Sequence, residues 1–520
     1  MPMSINKEII VIGWIALIVC WSSCRSDFDF EPSQGELRFS KDTIYLDTVF
    51  SNIGSSTYTL KVFNTSDKNL FIPSISLNLS DSKYRLNVDG MSGNSFENVE
   101  ILAKDSMYVF IETTVDIKDF TTTQTQFLYT DKLVFNHIGG TQSVDLVTLV
   151  QDAVFLYPEK YNDGTYEFLE FGTDDDGNII GIEGFYLNDS ELVFTNHKPY
   201  VVYGYAAVPS NKTVVFEAGA RIHFHKNSGL IAANNSTVSV QGLPGNQPND
   251  LTNKVIFEGD RLEPNYENLS GQWGAIWLTA GSTAHSFNHC IIKNATVGIL
   301  SDYNDESSSP TLTLRNTEIY NSQAFGLWAK TSHIDAENSV FGNAGQSVFY
   351  GNIGGNYDFR HCTFANYWNQ NFRDKPAVWL DNYLELADGS YFTAPLEKAS
   401  FQNCIISGSQ NIEWLLDPLE SIDFQFQLSH TLLQFNDILG MHTDDPLYSF
   451  DNTNNYVQAT LNGIPDFKDP NNLDFRIGIE SDAIGKGNGA ISSLVPLDIL
   501  GTSRTTSPDL GAYQHIEFED

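Results

Sequence analysis

The chain has 520 residues, too many for one compact core, and so predicts several domains or an elongated repeat array. Apolar residues make up 41% and aromatics 13%, which excludes wholesale disorder, while 35 Phe, 23 Tyr and 38 Gly lean towards β-structure. A net charge of -36 with only 29 Lys and Arg argues against nucleic acid, whose phosphates need cations, and against electrostatic docking on anionic lipid.

In chain order, Lys7 precedes an apolar run from Ile9 to Trp21, followed by Ser22, Ser23 and Cys24. The run is too short to span a bilayer and suits the core of a signal peptide. Small residues before a cysteine resemble a bacterial lipobox, with Trp21 where an aliphatic residue is usual. The resemblance implies cleavage after residue 23 and lipid on Cys24. Val19 is too bulky for Cys20 to serve. Asp27, Asp29 and Glu31 resemble the acidic surface-export signals of some Gram-negative lipoproteins, which implies an outer-membrane, surface-exposed location.

From Leu37 to about Val150, segments such as STYTLKVFN, YRLNVDG and MYVFIETTV alternate apolar and polar residues between Gly, Asn, Asp and Ser clusters. That spacing predicts an antiparallel β-sandwich. Ile53-Gly54-Ser55 and Val62-Phe63-Asn64, within FSNIGSSTYTLKVFN, resemble the first hairpin of the Hydin-like immunoglobulin family, whose members serve as spacers or interaction modules. Residues 153–197 read as a connecting region. Its Asp174-Asp175-Asp176 is not an EF-hand, because Ile179 stands where the loop needs Gly and no Glu closes it.

From Lys198 a phrase recurs: apolar, any, Asn or His, then Cys, Thr or Ser, any, apolar. Its third position falls at His289, Asn316, Asn338, His361, Asn403 and His430, with gaps of 27, 22, 23, 42 and 27. Short β-segments at this period predict a parallel solenoid, with the gap of 42 read as two turns. Alternate residues of a strand share a face, so Cys290, Thr317, Ser339, Cys362, Cys404 and Thr431 form one inward column, each two residues before a large apolar side chain. The cysteines then occupy one slot of different turns and read as structural thiols rather than a disulfide or metal site. The stretch from TVVFEAGARIHFHKN through GQWGAIWLTAGS, together with LDFRIGIESDAIGKG and SPDLGAY, resembles the right-handed parallel β-helix of pectate-lyase-like proteins. That family hosts lyases, hydrolases, adhesins and scaffolds, so the resemblance implies a fold and leaves activity open.

Lyases of this fold need an Arg or Lys base beside carboxylates. The nearest such patch is Arg360, Arg373 and Lys375 with Asp374 and Asp381, among which Asp381 and Arg373 are the catalytic candidates. Asp302, Asp305, Glu306 and Glu385 are further carboxylates from which a hydrolase pair could be drawn. His223 and His225 share a strand face, but two ligands are not a metal site; with Ile222 and Phe224 inward they read as outward histidines. No metal or cofactor is expected. Trp273, Trp277, Trp328, Tyr350, Tyr367, Trp368, Trp379, Tyr383 and Tyr391 are dense for a solenoid, and exposed ones on adjacent turns would offer sugar rings a platform. Trp328, Trp368 and Trp379 are the binding candidates.

The expected organisation is an all-β chain: signal peptide 1–23, immunoglobulin-like sandwich 24–152, connection 153–197, right-handed parallel β-helix 198–440 and closing segment 441–520. The expected function is a noncatalytic, lipid-anchored envelope protein that binds polysaccharide or a cell-envelope protein and meets the membrane through its anchor alone. A polysaccharide lyase or glycoside hydrolase and a structural stalk are the rivals.

Overall fold

The computed structural model describes residues 29–120, 124–173, 177–247, 250–303 and 309–518, and it is an all-β structure. The expected signal peptide, Cys24, Asp174–Asp176, Asp305 and Glu306 lie outside the described residues. The chain divides into two compact units, Met1–Gln151 and Asp152–Asp520.

In the first unit two sheets enclose one core. One sheet orders Glu31–Pro32, Leu70–Leu77, Gln126–His137, Gly140–Gln151 and Thr43–Phe50, with Ser95–Ile101 also on Leu70–Leu77. The other orders Leu37–Phe39, Tyr58–Asn64, Ser106–Thr113, Tyr84–Val88 and Met91–Gly93. Alternation does the folding: in Ser106–Thr113, Met107, Val109 and Ile111 turn inward while Tyr108 and Phe110 stay exposed. Val62, Val109 and Leu86 of one sheet meet Ile72, Leu133 and Leu146 of the other. Most pairings are antiparallel, but the end strands Glu31–Pro32 and Thr43–Phe50 join in parallel.

In the second unit successive lengths of chain each lay strands onto three parallel ladders. The first runs through Arg221–Phe224, Val255–Gly259 and Val340–Ala344, the second through Thr237–Gln241, His333–Glu337 and Gly355–Arg360. Long strands His285–Lys293 and Leu312–Ser322 serve both, so the two form one sheet of 19 strands. The third ladder is a ten-stranded sheet that includes Trp273–Leu278, Ala295–Ser301, Phe325–Lys330, Phe349–Asn352, Val378–Asp381 and Trp414–Asp417. The inner faces share one core, in which equivalent side chains stack in register: Phe257, Ile292, Ile319, Phe341, Phe364, Ile406 and Leu433 form one such column.

The recurring phrase has a backbone cause. His289, Asn316, Asn338, His361, Asn403 and His430 all have φ between 46° and 55°, the left-handed conformation that bends the chain from the second ladder into the first. Asn tolerates it best among residues with a side chain, hence its prevalence. The residue after the bend is fully buried at Cys290, Thr317, Ser339, Cys362, Cys404 and Thr431. Its sulfur or hydroxyl donates back to a carbonyl: Thr317 to Phe287, Cys362 to Ala336, Cys404 to Phe359, Thr431 to Phe401. All three described cysteines are free.

Three expectations need correction. The 42-residue gap is one enlarged turn, not two, because Phe364 pairs directly with Ile406; residues 367–377 and the hairpin Tyr383–Glu385/Tyr391–Thr393 fill the excess. Cys362 and Cys404 are therefore on neighbouring strands. Residues 153–197 are more than a connection, since Val154–Leu156 and Val193–Phe194 already belong to the parallel ladders. Finally, residues 467–514 do more than close an end: they lie along the outer face of the first ladder, where Phe475, Ile499 and Tyr513 cover Ile256, Ile291, Tyr320 and Val340, and Ile477 and Leu510 cover Ile405 and Leu432. The bend residues fasten this strap. Asn338 donates to the Leu497 carbonyl (2.8 Å) and accepts from Arg504, His361 Nε2 meets Ser492 Oγ at 3.0 Å, and Asn403 accepts from Asn488 N at 2.8 Å. Gly342 is glycine because any Cβ there would stand 2.3 Å from the Phe475 ring.

Candidate ligand-binding face

On the ten-stranded sheet every second residue points away from the core. Register places Trp277, Leu300, Trp328, Tyr350, Trp379 and Leu415 in one outward column, one per strand. Tyr350 stacks on Trp379 with ring centroids 4.1 Å apart and on Trp328 at 6.0 Å. The Lys330 ammonium lies 4.5 Å from the Trp328 ring centre and that of Lys375 lies 4.4 Å from the Trp379 ring centre, cation–π contacts that hold the lysines along the column.

Beside the rings runs a polar column at the strand ends. Asp302 accepts from Trp277 Nε1 (2.6 Å) and pairs with Lys330 (3.4 Å). Asn352 donates to Asp381 at 2.8 Å, and Asp381 and Asp417 are direct register partners on adjacent strands. Asp381 is buried and also accepts from Tyr350 OH and Ile353 N, both at 2.7 Å. Burial, aided by the Asp417 charge, holds its carboxyl above the usual carboxylate range despite these donors. Tyr383 OH donates to Asp417 at 3.1 Å, and burial beside that carboxylate pushes the phenol up to about 12.

The structure separates the candidates that the sequence grouped. Arg373 is buried, and its guanidinium pairs with the fully buried Glu413 through Nη2–Oε1 at 2.7 Å and Nη1–Oε2 at 2.8 Å, with the Asn366 and Lys375 carbonyls also accepting from Nη2 and Nη1. It is a structural residue, not a base beside Asp381. Arg360 is equally committed, in an ionic lattice with Asp335, Glu337 and Asp358 on the second ladder. Among the aromatics, Trp328 and Trp379 lie half-buried on the outward face, but Trp368 is buried with its Nε1 on Asn371, and Trp273 lies in the core. Trp368 therefore leaves the set of binding candidates. The outward rings also differ from a flat platform: stacked on one another along the ladder, they cover each other's faces and present edges.

The two histidines part company. His225 is half-exposed and meets Asp260 at 2.7 Å, whereas His223 is buried, 3.1 Å from the Gly259 carbonyl and 3.7 Å from Glu258. Outward-pointing here does not mean solvent-exposed, because Glu258 and Lys293 close over the ring's neighbourhood with their own pair at 2.8 Å. Among the described residues, no three His, Cys, Asp or Glu side chains gather in a metal-holding group. Asp417, Asn352 and Lys330 were missed in the sequence; the matching tetrapeptides VWLD (Val378–Asp381) and WLLD (Trp414–Asp417) were the signal that could have aligned the two aspartates.

No protein-family model matches this chain, and no curated protein matches it. Among solved structures, a protein of unknown function from Porphyromonas gingivalis W83 aligns at 14% identity over 27% of this chain and 60% of its own, with a TM-score of 0.17. A family 123 glycoside hydrolase from Clostridium perfringens aligns at 6% identity over 23% of this chain and 26% of its own (TM-score 0.17). BcpA, the major pilin subunit of Bacillus cereus, aligns at 12% identity over 28% and 50% (TM-score 0.15). This chain spans 60% or less of each of these structures, and at such TM-scores the likenesses carry no argument.

Proposed function

We propose that this chain is a lipid-anchored protein of the bacterial cell envelope, exported by residues 1–23, held on the outer membrane through Cys24, and displaying a Hydin-like immunoglobulin domain and a right-handed parallel β-helix of the pectate-lyase-like type. In this reading it binds a polysaccharide or an envelope protein without cleaving it. The parallel ladders and the left-handed bend residues support the β-helix. No helix among the described residues is long and apolar enough to cross a membrane. The observation that carries the binding role is the outward column Trp328–Tyr350–Trp379 with Lys330, Asn352, Asp381 and Lys375 beside it. It repeats similar groups at the interstrand spacing, roughly 4.8 Å, which suits a polymer lying along the ladder. Binding of the purified protein to extracted envelope polysaccharides tests it. Trp328→Ala and Trp379→Ala should each weaken binding several-fold, while full binding by the double variant would remove this face from the proposal.

A second reading, a carbohydrate-active enzyme, rests on Asp381 and Asp417 as paired carboxylates with Asp381 held above its usual range. New reducing ends or unsaturated products from polysaccharide, lost in Asp381→Asn, would replace the noncatalytic reading.

A further inference from the structure

The largest exposed aromatics of the second unit are not all on that face. Tyr157 is 65% exposed and Tyr166 46% exposed, and together with Tyr203, Pro158, Lys160 and Glu183 they line a cleft of about 360 Å3 beside the first strands of the ladders. The cleft is built rather than incidental. Residues 159–167 fold back as a small hairpin, in which Lys160 bridges Tyr166, Tyr161 N donates to the Thr165 carbonyl (2.8 Å) and Glu167 N to the Glu159 carbonyl (2.8 Å). Tyr203 is fixed by the bond from its N–H to the Leu156 carbonyl (2.9 Å) and by stacking on His225, 4.5 Å between ring centres. Pro158 closes on Gly204, where φ is +66° and a Cβ would stand 2.8 Å from the proline ring, so the corner requires glycine.

Unlike Trp328, Tyr350 and Trp379, these rings are not consumed by stacking on one another. Their volume and lining match a small-molecule site, mainly aromatic with a few polar groups at the edge. A tyrosine face accepts the C–H side of a pyranose, and the Lys160 ammonium and Glu183 carboxylate provide a donor and an acceptor for hydroxyls. Charge narrows the ligand: Glu183 lines the cleft, Glu159 and Glu167 are bonded across the hairpin that carries Lys160, and that one lysine's ammonium already lies 5.3 Å from the Tyr166 ring centre, on a chain of net charge -36. An acidic sugar would meet repulsion.

We infer that this tyrosine cleft is a binding site for a neutral, hexose-based glycan. The inference rests on the glycan-binding reading above and places an end-binding site apart from the outward column. The experiment measures full-length protein against soluble hexasaccharides of glucose, mannose or galactose and against uronic-acid oligomers, by calorimetry and ligand-observed NMR. At least one neutral hexasaccharide should bind, and Tyr157→Ala and Tyr166→Ala should each weaken it about three- to tenfold, the usual worth of one ring contact, with an unchanged melting temperature. Tyr166→Phe should retain binding. Neutral binding that survives the Tyr157→Ala/Tyr166→Ala double variant overturns the cleft while leaving the glycan-binding reading intact. Binding of uronic-acid oligomers alone overturns the neutral class. Binding of no glycan at all overturns both.

Discussion

Arg373 and Glu413 lie 40 residues apart in the chain and meet as a buried, doubly hydrogen-bonded ion pair that ties the loop before Val378–Asp381 to the start of Trp414–Asp417. Glu413 also accepts from Gln410 N and Ala377 N, at 2.8 and 2.7 Å. Burial pushes the Glu413 carboxyl up while Arg373 pulls it down. Removing one partner strands a charge that water cannot reach. Arg373→Ala is expected to lose about 3–5 kcal/mol, and Arg373→Met with Glu413→Leu considerably less. Chemical denaturation of the three proteins checks this. Equal losses in single and double variants would contradict the pairing.

Cys362 fills the small slot after a left-handed bend, between Ser339 and Cys404 on neighbouring strands. Cys362→Ser should be mild, since serine already fills the next turn, whereas Cys362→Phe should overpack the column and cost about 1–3 kcal/mol. Burial also pushes the Cys290 thiol up to about 12. Thiol reagents should therefore label Cys290, Cys362 and Cys404 only once denaturant unfolds the second unit.

Stability should fall as acid is added below about pH 6.5. His285 is buried, accepts from Val238 N at Nδ1 (3.0 Å) and meets Ser282 Oγ through Nε2 (2.9 Å), so its neutral form is built in. Burial lowers its pKa to about 3, and that of His289 to about 4. The unfolded chain takes up these protons first. The neutral rings' contribution is thus complete above the unfolded pKa of about 6.5 and is lost by about 1.4 kcal/mol per pH unit and per ring as pH drops towards the folded values. Melting temperature measured from pH 7 to pH 5 should decline, with a shallower slope in His285→Gln. A flat profile in the wild type would contradict the assignment.

Cys24→Ala should release the protein from the membrane fraction. A diacylglyceryl-modified cysteine anchors through its buried methylenes, each worth about 0.8 kcal/mol. Metabolic labelling with a fatty-acid probe should mark the wild type alone. Wild-type protein found in the aqueous phase of a detergent partition would count against the anchor.

What the sequence made legible follows the physics that is local. Apolar alternation and the Asn-centred bend are properties of a few consecutive residues, so the all-β, strand-rich character and the inward slot of Cys290, Thr317 and Cys362 could be read directly. Register across an insertion is not local. The 42-residue gap between His361 and Asn403 looked like two turns because nothing in spacing distinguishes a missing repeat from a loop plus a hairpin. The site suffered likewise. Arg373 and Asp381 are close in sequence, yet one pairs inward with Glu413 while the other faces Tyr350, and Trp368 has the composition of a platform residue but is covered. Outward direction can be read from parity; what lies on top of the outward face cannot.

The strap of residues 467–514 makes order of synthesis matter. It is made after the ladders it covers, yet it reaches back to side chains as early as Ile256 and supplies the partners of Asn338, His361 and Asn403. Until it arrives, the ladders can stack but one flank of the stack remains a greasy wall with unmatched polar corners, Tyr320, Val340 and Ile405 among its members. Contacts of such sequence separation form late. A ribosome that stalls, or a protease that clips, ahead of residue 467 therefore yields stacked ladders with an adhesive side, so quality control over this protein turns on residues 467–514.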